Sequence, residues 1–208
     1  MRFQRDSRAA QSGMTFIEII VVLAVVGLMS VWGIPALLGM MNRIRLTTSA
    51  RQVSIAMQQA RAEAVKRGFP ALVQYMDAGR CELTSGQRCF QTFVDLDGDR
   101  LYTEGTDTPL GGATPLPKGV ELWGPTDSAA EGANSIAGFT STDGPVFNTD
   151  GSVQTAGAFR LRDMGGNFIE VRVKFAGTGK VVVRKWFGGA SPDSNWFENG
   201  ENGNVWKW

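Results

Sequence analysis

Gly13-Met14-Thr15-Phe16-Ile17-Glu18 decides how this chain is read. A short polar leader carrying Arg2, Arg5 and Arg8 precedes it. An apolar run follows from Phe16 to Met41, in which Glu18 is the single charge and Ser30 the other clearly polar side chain. About 20 apolar residues suffice for a helix to cross a bilayer, and this run is slightly longer. A carboxylate in such a run costs about 2.5–3.5 kcal/mol at mid-membrane and less near the interface. An acid kept there points to a function and to a partner that neutralises it.

The stretch resembles the start of the type IV pilin and type II secretion pseudopilin superfamily: a basic leader ending in glycine, cleavage after that glycine, then a hydrophobic start with an acid in register. The resemblance implies that a prepilin peptidase cuts between Gly13 and Met14 and N-methylates Met14. Glu18 then becomes the fifth mature residue and Pro35 the twenty-second, where many pilins carry a helix-kinking proline. There is a physical reason for the acid. Cleavage leaves a free amine on Met14 in a low-dielectric setting, and Glu18 of one subunit can neutralise that amine on a neighbour. Two groups that are each expensive to bury alone become tolerable together. The alternatives are an ordinary secretory signal peptide, which would have a shorter apolar core without an internal acid and an A-x-A-like site, and an anchor that is never processed.

The chain has 208 residues, and what remains beyond the leader and the apolar run makes one compact domain. The leader holds three arginines and one aspartate, net +2, so a whole-chain charge of +1 leaves the remainder near −1. No global positive field points to nucleic acid. Histidine is absent, which removes Ser-His-Asp and Cys-His catalysis and imidazole metal sites. Arg43, Arg45 and Arg51 after the run balance the leader arginines, so the positive-inside rule is close to a tie. The leader resemblance and the cysteines place the head outside the cytoplasm.

Beyond Pro35 a narrow apolar stripe recurs at Leu46, Ala50, Val53, Met57, Ala60 and Ala64, with Arg43, Arg51, Gln58, Arg61 and Lys66 off it, which predicts an amphipathic helix. Gly68 suits its C-terminal cap and Pro70 prevents continuation. From Thr15 to Arg67 such a helix is about 80 Å long. The sequence Ala60-Arg61-Ala62-Glu63-Ala64-Val65-Lys66-Arg67 resembles the helix end of the GspH/FimT branch of the superfamily. The stretches 70–75, 93–99 and 147–153 resemble that branch's first strand, acidic loop and late turn, and the resemblance fades after about residue 186. Strands are expected at 71–76, 89–95, 119–123, 145–148, 157–162, 167–175 and 179–185. In 168–175, Phe168, Glu170, Arg172 and Lys174 alternate with Ile169, Val171, Val173 and Phe175, the pattern of a strand with one solvated face.

Cys81 and Cys89 are the only cysteines, and outside the cytoplasm such a pair is expected to form a structural disulfide. Asp95, Asp97 and Asp99 alternate around Gly98, a pattern that suits Ca²⁺. Arg100 and Thr106 stand where an EF-hand needs glycine and glutamate, so a solvated Asp/Gly turn is the first reading and calcium the alternative. The late strands are locally basic, with Arg160, Arg162, Arg184 and Lys185 the candidate DNA contacts, diluted by Asp163 and Glu170. An ordinary charged strand face is the first reading there, and DNA the alternative partner. Trp196, Phe197, Trp206 and Trp208 lie in a polar tail. They either fold back onto the head or dock on a neighbouring subunit.

The expected fold is α+β: a long N-terminal helical spine against an antiparallel β-sheet head. Its parts are a cleaved leader at 1–13, a transmembrane or filament-core helix at 14–41, the amphipathic half of the spine at 42–68, a β-rich head at 69–187 and an aromatic tail at 188–208. The resemblance implies a non-enzymatic minor pilin, with no cofactor unless calcium binds. Its partners would be other pilins or pseudopilins in a helical filament, prepilin peptidase, and the bacterial inner membrane with its assembly platform. The protein would cross that membrane once, with the head in the periplasm, before joining a pilus or pseudopilus. An H-type pseudopilin of type II secretion and a DNA-binding subunit for uptake are the rival readings.

Overall fold

The computed structural model describes residues 14–77, 79–81, 88–139 and 144–207. Among the described residues one α-helix, α1 (Phe16–Arg67), precedes eleven strands. The chain divides after Gly39 into two units. The first is the apolar part of α1, where Thr15 caps the helix: its Oγ1 accepts from Glu18 N at 3.3 Å. This is the first half of a Thr-x-x-Glu capping box. No single helix among the described residues is long and apolar enough to cross a membrane; Phe16–Val31 and Ala36–Arg67, with a bend between them, pass that test together. Pro35 falls in the sequence between those two segments.

The second unit is the head, from Met40 onward. The stripe read from the sequence is its spine: Leu46, Ala50, Val53, Met57, Ala60 and Ala64 are all buried. The helix stops as expected, with Gly68 in the left-handed region (φ 72°) and its amide donating to Ala64 O at 3.0 Å. The first sheet contains β1 (Ala71–Met76), β2 (Cys89–Val94), β3 (Thr108–Pro109), β4 (Thr114–Pro115) and β7 (Val146–Phe147), in the order β3-β2-β1-β7 with β4 also on β2. The second contains β5 (Val120–Leu122), β6 (Ile136–Ala137), β8 (Ala158–Asp163), β9 (Phe168–Phe175), β10 (Lys180–Trp186) and β11 (Trp196–Phe197), in the order β11-β10-β9-β8-β5 with β6 also on β8. All pairings are antiparallel. One core joins the helix stripe to Val73, Tyr75 and Phe90 of the first sheet and Phe159, Leu161, Ile169 and Val171 of the second. Chain and sheets thus form the expected α+β architecture.

Every expected strand is present within one or two residues. The four that periodicity did not indicate, β3, β4, β6 and β11, have two residues each, too few for an alternation to register. The one-faced pattern expected of β9 is corrected by the structure: Phe168 and Glu170 on its supposed solvated side are buried. The tail and the segment 123–139 lie over that face. Trp196 is buried, and β11 pairs with β10 through Trp196 opposite Trp186. Trp206 packs on the main core and its Nε1 donates to Phe197 O at 3.1 Å. These tail aromatics therefore fold back; Trp208 lies outside the described residues.

Segment 123–139 is held by one carboxylate. Asp127 accepts from Gly124 N at 2.9 Å, from the Asn134 amide and side chain at 3.0 Å each, and from Ser135 Oγ at 2.9 Å. Burial works against its charge, but these bonds outweigh burial and hold the carboxyl below the usual range. A depressed carboxylate contributes stability at neutral pH that is lost as pH falls through its folded pKa. Asp127→Asn should therefore lower the thermal midpoint at pH 7 and flatten its decline below about pH 4. An unchanged acid limb in circular-dichroism melts would refute this.

Candidate assembly and interaction sites

The amino-terminal candidates divide at the edge of the described residues. Gly13 lies outside them; Met14 begins them, 65% exposed. Glu18 sits in the first turn of α1, where its charge complements the helix dipole. Around it the apolar side chains are exposed on every face of the helix: Phe16 79%, Val21 56%, Leu23 65%, Leu28 70%, Val31 69%. A helix apolar all round is a helix that is buried by something.

A disulfide joins Cys81 and Cys89, with Cα atoms 5.9 Å apart. It closes the segment between β1 and β2 beside Met76 and Ala113. Chain entropy gives so short a loop at most about 2–3 kcal/mol.

Asp95, Asp97 and Asp99 converge, with one oxygen of each within 4.8 Å of the others, the only such acidic group among the described residues. Their oxygens serve the loop itself. Asp95 accepts from the amides of Gly98 (2.7 Å) and Arg100 (3.2 Å), Asp97 from Asp99 N (3.2 Å) and Asp99 from Leu101 N (2.7 Å). Burial pushes the Asp95 carboxyl above the usual range, against those amide bonds. Asp107 closes the loop, accepting from Leu96 N and Thr103 N. These are the Asx-type bonds of an Asp/Gly turn.

The four basic candidates come together at the second sheet, but not as an open patch. Arg160 is fully buried: Nε donates to Glu170 at 3.4 Å, Nη1 to Asn134 O at 3.1 Å and Nη2 to Asp193, with Trp196 beneath the guanidinium at 5.4 Å. Arg184 Nε donates to Glu170 at 2.7 Å, and Arg172 Nε to the same carboxylate at 3.1 Å. Arg162 lies over Trp123 at 4.4 Å and near Phe168 at 5.7 Å. Lys185 donates to Lys207 O at 2.8 Å. Glu170, buried among three arginines, is the residue sequence reasoning missed. The only signal was its cross-strand position, opposite Arg160 on one side and Arg184 on the other.

A family model described as "Type II transport protein GspH" matches residues 49–179, well over half of the chain. No curated protein and no solved structure matches it.

Proposed function

The chain belongs to the family of type II transport protein GspH, and on that premise we propose that it is a minor pilin, a structural subunit processed at Gly13–Met14 and assembled from the inner membrane into a type IV pilus. The family supports the coarser role of pilin or pseudopilin, a subunit that assembles with its own kind. The observation that supports a membrane-held, assembling subunit, whether pilin or pseudopilin, is the uncovered apolar helix with one acid in its first turn. Exposed apolar surface on this scale marks a membrane or protein contact. The helix is held in the membrane before assembly and in the filament core afterwards, with Glu18 opposite the Met14 amine of a neighbour. The role is structural, and it needs no cofactor.

Mass spectrometry of the membrane-extracted protein should give a chain starting at Met14 with one added methyl group. An intact Met1 terminus in cells with active peptidase would refute the processing. A second reading, the H-type pseudopilin of type II secretion, is favoured by the wording of the family description. Deleting the gene separates the two: loss of surface pili with intact protein secretion supports the pilus, and the reverse supports the pseudopilus.

A further inference from the structure

The second sheet stands upright along the head half of α1. At one end, Arg61 Nε donates to Gly151 O at 3.1 Å, and Gly179 of the β9–β10 turn abuts Arg61. At the other, Arg45 Nη1 donates to Lys118 O at 3.3 Å, just ahead of β5. β5 begins opposite the end of β8, Val120 facing Asp163, and β10 ends at Trp186, whose ring meets Phe168 at the start of β9. Residues 117–119, the turn 164–167 and the end of β10 therefore form one rim, level with helix residues 43–46. Helix residues 43–46 are among the first of the head unit, which begins at Met40.

Among the described residues the chemistry of the rim is one-sided. Lys118 and Lys207 are exposed, and Arg43 and Arg45 half-buried. The nearby carboxylates are engaged elsewhere. Asp163 is buried and accepts from Asn167 N (2.8 Å) and Nδ2 (2.9 Å), and Glu121 reaches Arg88 at 4.0 Å. Met164 projects from the turn at 74% exposure and Phe187 stands at 41%. At the rim and just behind it, Trp186 Nε1 and Arg162 Nε are buried donors without a partner among the described residues.

We propose that this rim is a lipid-contact surface that rests on the anionic headgroups of the membrane holding the apolar run. The inference rests on the reading of residues 16–41 as membrane-embedded. Cations near an anionic surface each strengthen its attraction about fivefold, and aromatic or flexible apolar side chains settle at the headgroup level. The contact seats the head on the bilayer before assembly and is broken when the subunit is drawn into a filament.

The test uses the full chain in lipid nanodiscs of phosphatidylcholine, with or without phosphatidylglycerol. A nitroxide is placed on Met164→Cys, with Thr149→Cys at the far end of the head as the reference. In anionic discs, nickel-chelate access to the Met164→Cys label should fall by about fivefold or more relative to the reference, and Lys118→Glu with Lys207→Glu should restore it. Equal access at both labels would overturn the proposal. So would protection that is the same on neutral lipid and indifferent to the charge reversal. Protection that appears only when several chains share a disc would assign the rim to a second copy instead. Retention in the disc through a carbonate wash reads the embedded run separately. A retained chain with an open Met164→Cys label overturns the rim alone, and a released chain overturns both readings.

Discussion

Glu170→Ala is expected to lower the unfolding free energy of the head by about 3–5 kcal/mol, the usual cost of breaking a buried ion pair by removing one partner. Glu170 is fully buried and its carboxylate is shared by Arg160, Arg172 and Arg184. Arg172 and Arg184 keep 24% and 18% side-chain exposure and can turn to solvent, but Arg160 has none. Without Glu170, Arg160 retains Asn134 O and Asp193, and Asp193 is itself 71% exposed. The guanidinium is left as a buried, poorly compensated cation. Asp193→Ala should cost only about 0–1 kcal/mol, because a largely exposed partner gains little from the pairing. The double variant Arg160→Met, Glu170→Leu should lose less than Glu170→Ala alone, since it removes the stranded charge and both desolvation costs. Urea unfolding of the detergent-solubilised chain, followed by tryptophan fluorescence, reads all three. A loss below about 1 kcal/mol for Glu170→Ala would mean the cluster contributes no more than a surface pair.

The same cluster marks where the sequence stops being informative. The helix stripe from Leu46 to Ala64 was legible because helical packing is periodic, and all six of its residues are buried. Gly68 and Pro70 were legible because backbone geometry is local. The long strands followed from runs of β-branched and aromatic residues. Glu170 was not legible: alternation assigns it correctly to the face opposite Ile169 and Val171, but cannot say that another segment covers that face. The cover comes from Trp196 and Asp193 in the tail and Asn134 in the segment between β5 and β6. Those contacts are set by tertiary structure, and the segment's own shape depends on Asp127 gathering Gly124, Asn134 and Ser135. The charges of Arg160 and Arg184, open to solvent in a one-dimensional reading, are turned to internal pairing for that reason. At the other end of the chain the reverse holds. Glu18 stands out in the sequence because it is the one charge in an apolar run, while its neutralising partner would belong to another molecule.

Glu18→Val should leave peptidase cleavage intact and sharply reduce entry into filaments. On the proposed reading, peptidase recognition centres on Gly13, upstream of the acid. The substitution removes a carboxylate whose burial costs about 2.5–3.5 kcal/mol at mid-membrane and less near the interface, so the isolated subunit should hold to the membrane at least as well as before. Thr15 Oγ1 still caps the first turn through the amide of residue 18, because that bond is made by the backbone. What changes lies between subunits. The proposed neighbour's Met14 amine exists only after cleavage, and in a filament core it would have no counter-charge. Stranding one member of a buried pair costs about 3–5 kcal/mol, a factor of more than about a hundred in the assembly equilibrium. Glu18→Asp should fall between the two, keeping the charge on a side chain one methylene shorter. The measurement is co-expression with the wild-type chain, with each form quantified in sheared filaments and in the membrane fraction. Incorporation of the Glu18→Val chain at the wild-type ratio would show that the acid is not the assembly counter-ion. Loss of cleavage in the same variant would instead place Glu18 in peptidase recognition.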